Sequence, residues 1–583
     1  MKKTLRKIAL LGLSVVALGS LSSQACTNFM ITKGASKDGS TMVTYSADSH
    51  VLYGELYYRP AASYPAGAMV DVFDWDSGRK MGKIPQVSQT YSVVGNMNEF
   101  QLAIAETTYG GLSELEDTTA IIDYGTLIYM TLQRAKNARE AIQVMSDLVS
   151  NYGYASAGES LSISDPNEVW ILEIIGKGKP ILDKKGNVDT KKYTKGAVWV
   201  AYRIPDGAIS GHANHARITK ILKADGKRSI TSKELKKINM PELECIYAYD
   251  VVDYAKNIGL FAGNFEDFSF SDTYAPLDFG AARGCEARVW SGFMQANRAE
   301  MAKYEKYARG EDLSMRMPLW ITPDRKLGLE DVMNMMRDHY EGTSMDMTKD
   351  LGAGPFQCPY RWRPMGFEVD GKEYVHERAI STQQTGFSFV TQSRSWLPNP
   401  IGGILWFGVD DTYSTCYTPM YCGITQIPEC FKVGNGNMIT YSPTSAFWLF
   451  NQVTNFTYLR YNDIIKDVIS VQKELETSFI KKVALNDAAW GKETDMKKLV
   501  NQANTFSNAQ ASIVFARWKK LSEYLLVKYI DGNIKKEENG KFKNSKYGEQ
   551  RAVMPSQPKY PDWWYKKIVE DAGDNLKVIT PTK

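Results

Sequence analysis

Residues 25–50 read ACTNFMITKGASKDGSTMVTYSADSH, from Ala25 to His50. Two runs rich in Thr, Met, Val, Phe and Tyr flank the polar segment KGASKDG, residues 33–39, and the pattern reads as a β-hairpin. One arm of that hairpin begins at a cysteine, Cys26, and the segment in front of it explains why the position matters. Lys2, Lys3, Arg6 and Lys7 form a basic region, Ile8 to Leu21 an apolar one broken only by Gly and Ser, and Ser23 and Ala25 the small residues of a cleavage site. This is the pattern of an export signal over residues 1–25, too short for a stable span of about 20 residues. The chain is therefore expected to be exported, periplasmic or extracellular, with Cys26 at its new terminus and no membrane association after cleavage.

The chain has 583 residues and a formal net charge of +4, which the four basic residues of the signal account for. The remainder is neutral, and nothing in its overall charge favours nucleic acid. Aromatic content of 12% and a charged fraction of 23% describe a folding, globular chain. Apart from Cys26 there are six cysteines, Cys245, Cys285, Cys358, Cys416, Cys422 and Cys430, an even number that in an exported protein permits up to three bridges. The stretch CYTPMYCGITQIPEC, residues 416–430, is the favoured place for one. Its spacing fits no zinc ligand pair.

Further along, YSVVGNMNEFQLAIAETT reads as strand, turn and strand, and residues 123–135 and 138–153 as helices with apolar residues spaced three and four apart. Strands return in SLSISDPNEVWILEIIG, in GAVWVAYRIPDGAISGHANHARI and in FSFVTQSRSWLPNPIGGILWFGVDD. From Tyr461 onward the pattern is helical and Lys-rich. Strands, a helical pair, then strands again imply an α+β fold in layers. The organisation expected is a signal over 1–25, a catalytic domain over 26–460 and a helical C-terminal extension over 461–583, packed on that domain.

Three chemistries compete for a cysteine at a cleavage point. A lipid anchor fits poorly, because Gln24 is unlike the small or aliphatic residues such signals carry and no flexible tether follows Cys26. A structural cysteine leaves the position unexplained. The third reading makes use of it. A thiol with a reference pKa of about 8.5 is only slightly ionised at neutral pH and needs a base. An α-amine, at about 7.7–8.0, can serve, and cleavage would deliver it on the same residue as the sulfur.

With that logic in hand, ACTNFMITKGASKDGSTMVTYSADSH, GNMNEFQLAIAETT, SLSISDPNEVWILEIIG and GAVWVAYRIPDGAISGHANHARI, in this order, resemble the dipeptidase A-type cysteine dipeptidases. More distantly they are similar to penicillin V acylases and bile salt hydrolases, all N-terminal nucleophile hydrolases. The resemblance implies a four-layer αββα sandwich with the nucleophile on a central strand, no cofactor or metal, and small peptide substrates. It implies Cys26 as nucleophile and amine base, Asp48 as the carboxylate that orients the amine, and Asn98 and Asn214 as oxyanion-site residues. Where the acylases and some dipeptidases carry an arginine three residues before the aspartate, this chain has Tyr45, taken here as substrate-binding. Arg394 or Arg217 could supply the missing charge, with Arg394 preferred. His212 and His215, an i, i+3 pair, read as part of a polar turn rather than a metal site, and GAARGCEARVW, with Arg283 and Arg288, as a structural loop.

The activity expected is hydrolysis of the amide bond of dipeptides. The alternatives are an N-acyl amidase using the same nucleophile and a lipid-anchored surface binding protein. Side-chain preference and self-association into a homo-oligomer are left open by the sequence.

Overall fold

The hairpin around residues 33–39 forms. The computed structural model describes residues 26–547 and 551–580; the export segment expected over 1–25 lies outside the described residues. Strand β1 (Asn28–Ile31) runs antiparallel to β2 (Met42–Asp48), with Met30 opposite Val43. A further bridge between Thr27 and Ser46 carries the pairing to the end of the hairpin, which sets Cys26 beside Ala47 and Asp48.

The following elements are β3 (Ala103–Gly110), α1 (Tyr124–Leu132), α2 (Ala138–Tyr152), β4 (Gly158–Ser164), β5 (Val169–Gly176), β6 (Ala197–Arg203) and β7 (Ile209–His212). Asp123 and Asn137 cap the two helices through their side chains, and Gly153, at φ 76°, ends the second. Then come α3 (Ala287–Ala296), β8 (Trp320–Ile321), β9 (Thr385–Ser393), β10 (Gly403–Val409) and β11 (Thr418–Tyr421). The helices α4 (Ala446–Thr457), α5 (Tyr461–Trp490) and α6 (Met496–Tyr529) follow.

Among the described residues, one sheet has seven strands in the order β8-β7-β1-β2-β9-β10-β11. A second has nine, with β3, β4, β5 and β6 as consecutive antiparallel neighbours. The sheets face each other through β1 and β2 on one side and β3 and β4 on the other. Helices α1 and α2 lie against the second sheet, and α4, α5 and α6 against β10 and β11 of the first. This is a mixed α/β architecture. Strands β4, β5 and β9 are buried along their whole length, which is why they read as runs of small and apolar residues rather than as strict alternation.

The interface between the sheets is not wholly apolar. His212 on β7 reaches across, its Nδ1 2.7 Å from Thr107 Oγ1 and its Nε2 2.7 Å from Ser162 Oγ. Burial lowers this imidazole to about 3, so it is a neutral cross-link whose two nitrogens are both occupied. The disulfide favoured in residues 416–430 does not form: Cys416, Cys422 and Cys430 are all free thiols. Cys416 and Cys422 are buried as small core side chains, Cys422 with Met97 and Ala103.

Candidate active site

The end of the β1–β2 hairpin opens into a cavity of about 290 Å³, at the small end of the range for ligand sites. Cys26, Tyr45, Asp48, Asn96, Glu106 and Thr108 give it polar groups, and Leu52, Tyr57, Trp75, Ile128, Tyr129 and Phe387 an apolar wall. The two sheets supply the polar side together: Cys26, Tyr45 and Asp48 from the first, Glu106 and Thr108 from β3 of the second.

Cys26 is buried, with Sγ 3.6 Å from the Tyr45 hydroxyl and 3.8 Å from Glu106 Oε1. Burial pushes its thiol well above the ordinary value, and the charges of Glu106 and Asp48 push it further. Such a sulfur does not rest as a thiolate; it must lose its proton to a base as it reacts. Below it, Arg288 of α3 donates to the Cys26 carbonyl at 2.6 Å and to Thr27 Oγ1 at 2.9 Å, fixing the backbone of the nucleophile.

Asp48 closes one side. The shift in pairing between Ala47 and Asp48 ends the regular ladder with β9 and turns this carboxylate inward. Oδ2 accepts from Arg378 at 2.5 Å and Ser46 at 3.2 Å, and Oδ1 from Thr385 at 2.7 Å. On the opposite side Tyr45 donates to Glu106 Oε1 at 2.5 Å, and burial keeps the phenol neutral by raising it well above its ordinary value. Tyr45 thus touches both the sulfur and the acid.

The two asparagines differ. Asn214 adopts φ 57°, donates to the carbonyl of the cavity residue Thr108 at 2.6 Å and accepts from Arg288 at 2.9 Å, so the cation under Cys26 also holds this turn, although Asn214 itself is not in the cavity lining. Asn98 does not reach the cavity. Its amide donates to Leu132 O and Ala135 O, and its carbonyl accepts from Phe100 N and Leu102 N, which spends the whole side chain on a turn. The expected oxyanion role of Asn98 is corrected accordingly. Asn96, two residues earlier, is the asparagine that lines the cavity.

Arg394 is corrected too. Its guanidinium donates to Gly402 O, Ile401 O and Asp487 of α5, and it lies outside the cavity lining. Arg217 pairs with buried Glu286 at 2.9 Å and is a structural ion pair. Arg283 binds Glu377 at 2.5 Å, but Arg288, read from sequence as part of the same structural loop, is the residue beneath Cys26.

Glu106, Glu159, Asn96 and Arg378 were not singled out from the sequence. The signal for the two glutamates is there: AIAETT and GESLSIS each carry one acid inside or at the edge of a run that is otherwise small or apolar. A carboxylate in a buried strand requires a partner or a function.

Comparison with known proteins agrees on family. A model of peptidase family C69 matches residues 25–474. A probable dipeptidase of Latilactobacillus sakei is 24% identical over 515 residues, covering 82% of this chain and 91% of that protein. Probable dipeptidase B of Streptococcus pyogenes serotype M1 is 21% identical over 543 residues, covering 89% and 97%. A probable dipeptidase of Salmonella dublin is 23% identical over 438 residues, covering 71% and 84%.

Proposed function

The chain belongs to peptidase family C69, and we propose that it is a cysteine dipeptidase in which Cys26 is the nucleophile and its own α-amine the base. The observation that carries this reading is the setting of the sulfur. Cys26 lines a cavity beside Asp48, its thiol is held protonated, and among the described residues no imidazole lines that cavity to take the proton. An α-amine freed by cleavage before Cys26 would stand on the same residue as the sulfur, with Asp48 as its acceptor. The names of the relatives support the substrate class.

In the proposed reaction, Sγ attacks the carbonyl carbon of the substrate's peptide bond and the α-amine takes the thiol proton. The tetrahedral intermediate collapses to a thioester as that proton passes to the departing amine. Water, deprotonated by the same amine, then attacks the thioester, releases the acid and returns the thiol. Asn214 is retained as an oxyanion donor through its second N–H, the first being spent on Thr108 O. The two facing sheets and the helices against each support a four-layer αββα sandwich of the N-terminal nucleophile type. We assign residues 26–460 to the catalytic domain, 461–583 to a helical extension, and the working location to the cell exterior or periplasm.

The decisive experiment replaces the sulfur. Cys26→Ala should lower dipeptide turnover by at least about a thousandfold while the protein stays folded. Stoichiometric alkylation of Cys26 should do the same to the unaltered enzyme, and EDTA should have no effect. Substantial turnover by purified Cys26→Ala would remove Cys26 as nucleophile.

A further inference from the structure

The cavity contains an acid that the proposed reaction does not use. Glu106 is 4% exposed, its Oε1 accepts from Tyr45, and its Oε2 has no hydrogen-bond partner. Behind it, on the neighbouring strand, Glu159 is 1% exposed; its Oε1 accepts from Thr108 and its Oε2 is likewise without a partner. Among the described residues neither carboxylate forms an ion pair. Arg59 lies over the ring of the cavity residue Tyr129, 4.8 Å from its centroid. Buried acids are normally neutralised by a partner. Here Glu106 lines the cavity with Glu159 beside it, and the two have each other but no cation.

We propose that Glu106, backed by Glu159 and oriented by Tyr45, binds the α-ammonium of the substrate's N-terminal residue. The inference rests on the dipeptidase reading and sharpens it, because the distances act as a ruler. In an amino-acyl group the ammonium nitrogen is about 2.5 Å from the carbonyl carbon, from standard bond lengths. An attacking sulfur stands about 3–3.5 Å from that carbon, and a charged hydrogen bond from ammonium to carboxylate spans about 2.7–2.9 Å. A carboxylate oxygen 3.8 Å from Sγ closes this figure with the amine on the carbon next to the scissile carbonyl. An amine one residue further back would lie about 3.8 Å more distant along the chain. The separation of Glu106 from Sγ therefore suits attack on the first peptide bond.

The electrostatics agree. Burial raises Glu106, and burial with the Glu106 charge raises Glu159 well above the ordinary carboxyl value, so the pair favours holding one proton between them. An incoming ammonium replaces that proton as the positive partner. Tyr45 donates a hydrogen bond without bringing a charge, which orients Glu106 and leaves it anionic character for a cation. The apolar wall of Leu52, Ile128 and Phe387 then faces the side chain on the same carbon.

Leucinol carries the α-ammonium and an apolar side chain but no scissile bond; isohexanol is the same molecule without the amine. Titration calorimetry of the full-length processed protein should show leucinol binding at least about tenfold more tightly than isohexanol, as a charged hydrogen bond to a buried group requires. In Glu106→Gln that ratio should fall to near one. Leucinol, and not isohexanol, should also slow alkylation of Cys26, a measurement on the unaltered protein that places the ligand in this cavity even if the variant misfolds. Equal binding of the two ligands, a ratio that survives Glu106→Gln, or undiminished alkylation would each overturn the assignment. Because these readouts are binding and protection, absence of dipeptide turnover in the unaltered protein would count against the dipeptidase reading and leave this result standing by itself.

Discussion

Two carboxylates flank the Cys26 sulfur, and they are built differently. Asp48 is saturated: Arg378, Ser46 and Thr385 take its oxygens, and the surrounding strands fix it in place. Glu106 receives hydrogen bonds on one oxygen alone, from Tyr45 and, at 3.8 Å, from the Cys26 thiol, and no cation. Both are buried side chains in the lining of the same cavity. A buried acid with its partners already in place is held rigidly, as a carboxylate that orients the α-amine must be. One that lacks them stores an unfavourable interaction, which a ligand of the right charge relieves. An orienting acid and a ligand-binding acid are therefore distinguishable here by their hydrogen-bond accounts rather than by residue type.

The contrast is broken most severely at its satisfied side. Asp48→Asn keeps the shape but removes the anion facing Arg378, and breaking a buried ion pair costs about 3–5 kcal/mol. Chemical denaturation should show that loss, accompanied by a fall in turnover. Unaltered stability would mean that Asp48 does not serve as framework. A smaller effect is expected where a cation serves only the scaffold. Arg394→Met removes the donors that tie β9 to Ile401, Gly402 and Asp487 of α5, and should cost about 2 kcal/mol with kcat/KM on dipeptides preserved. A selective rise in KM would return Arg394 to the substrate site.

The smallest effect lies on the unsatisfied side and has the opposite sign. A carboxyl raised by burial binds its proton more tightly folded than unfolded, so its contribution to stability is full below the unfolded value of about 4.3 and is lost as pH rises through the folded value. Glu159→Gln removes that loss. Its melting temperature should therefore gain on that of the unaltered protein as pH rises above the unfolded carboxyl value of about 4.3, and match it below that value. Parallel curves would show that the acid pair is neutralised by something other than its own proton.

The same contrast explains what could be read from the sequence. Cys26 and Asp48 belong to one hairpin, so local alternation was enough to bring them together, and the helices over 124–132 and 138–152 followed from period and caps. Asn98 and Asn96 are two residues apart in one turn, and only the three-dimensional path of that turn decides which faces the cavity. Arg394 finds Asp487 at 93 positions' distance, and Asp48 finds Arg378 at 330. Such pairings leave no trace in local pattern. Glu106 and Glu159 were legible as acids in buried strands, but their lack of a partner is a property of the assembled sheets alone.

The central claim is that the base belongs to Cys26 itself, and it is tested by what precedes that residue. An enzyme whose chain begins at Cys26 should hydrolyse dipeptides, and one carrying Gly-Ser ahead of Cys26 should be folded and inactive. In the extended protein the amine has become an amide, which accepts no proton near neutral pH. Turnover and intact mass should be measured on the same two samples. The account predicts activity confined to the sample whose mass shows Cys26 at the terminus. Equal turnover with the Gly-Ser extension still attached would contradict it.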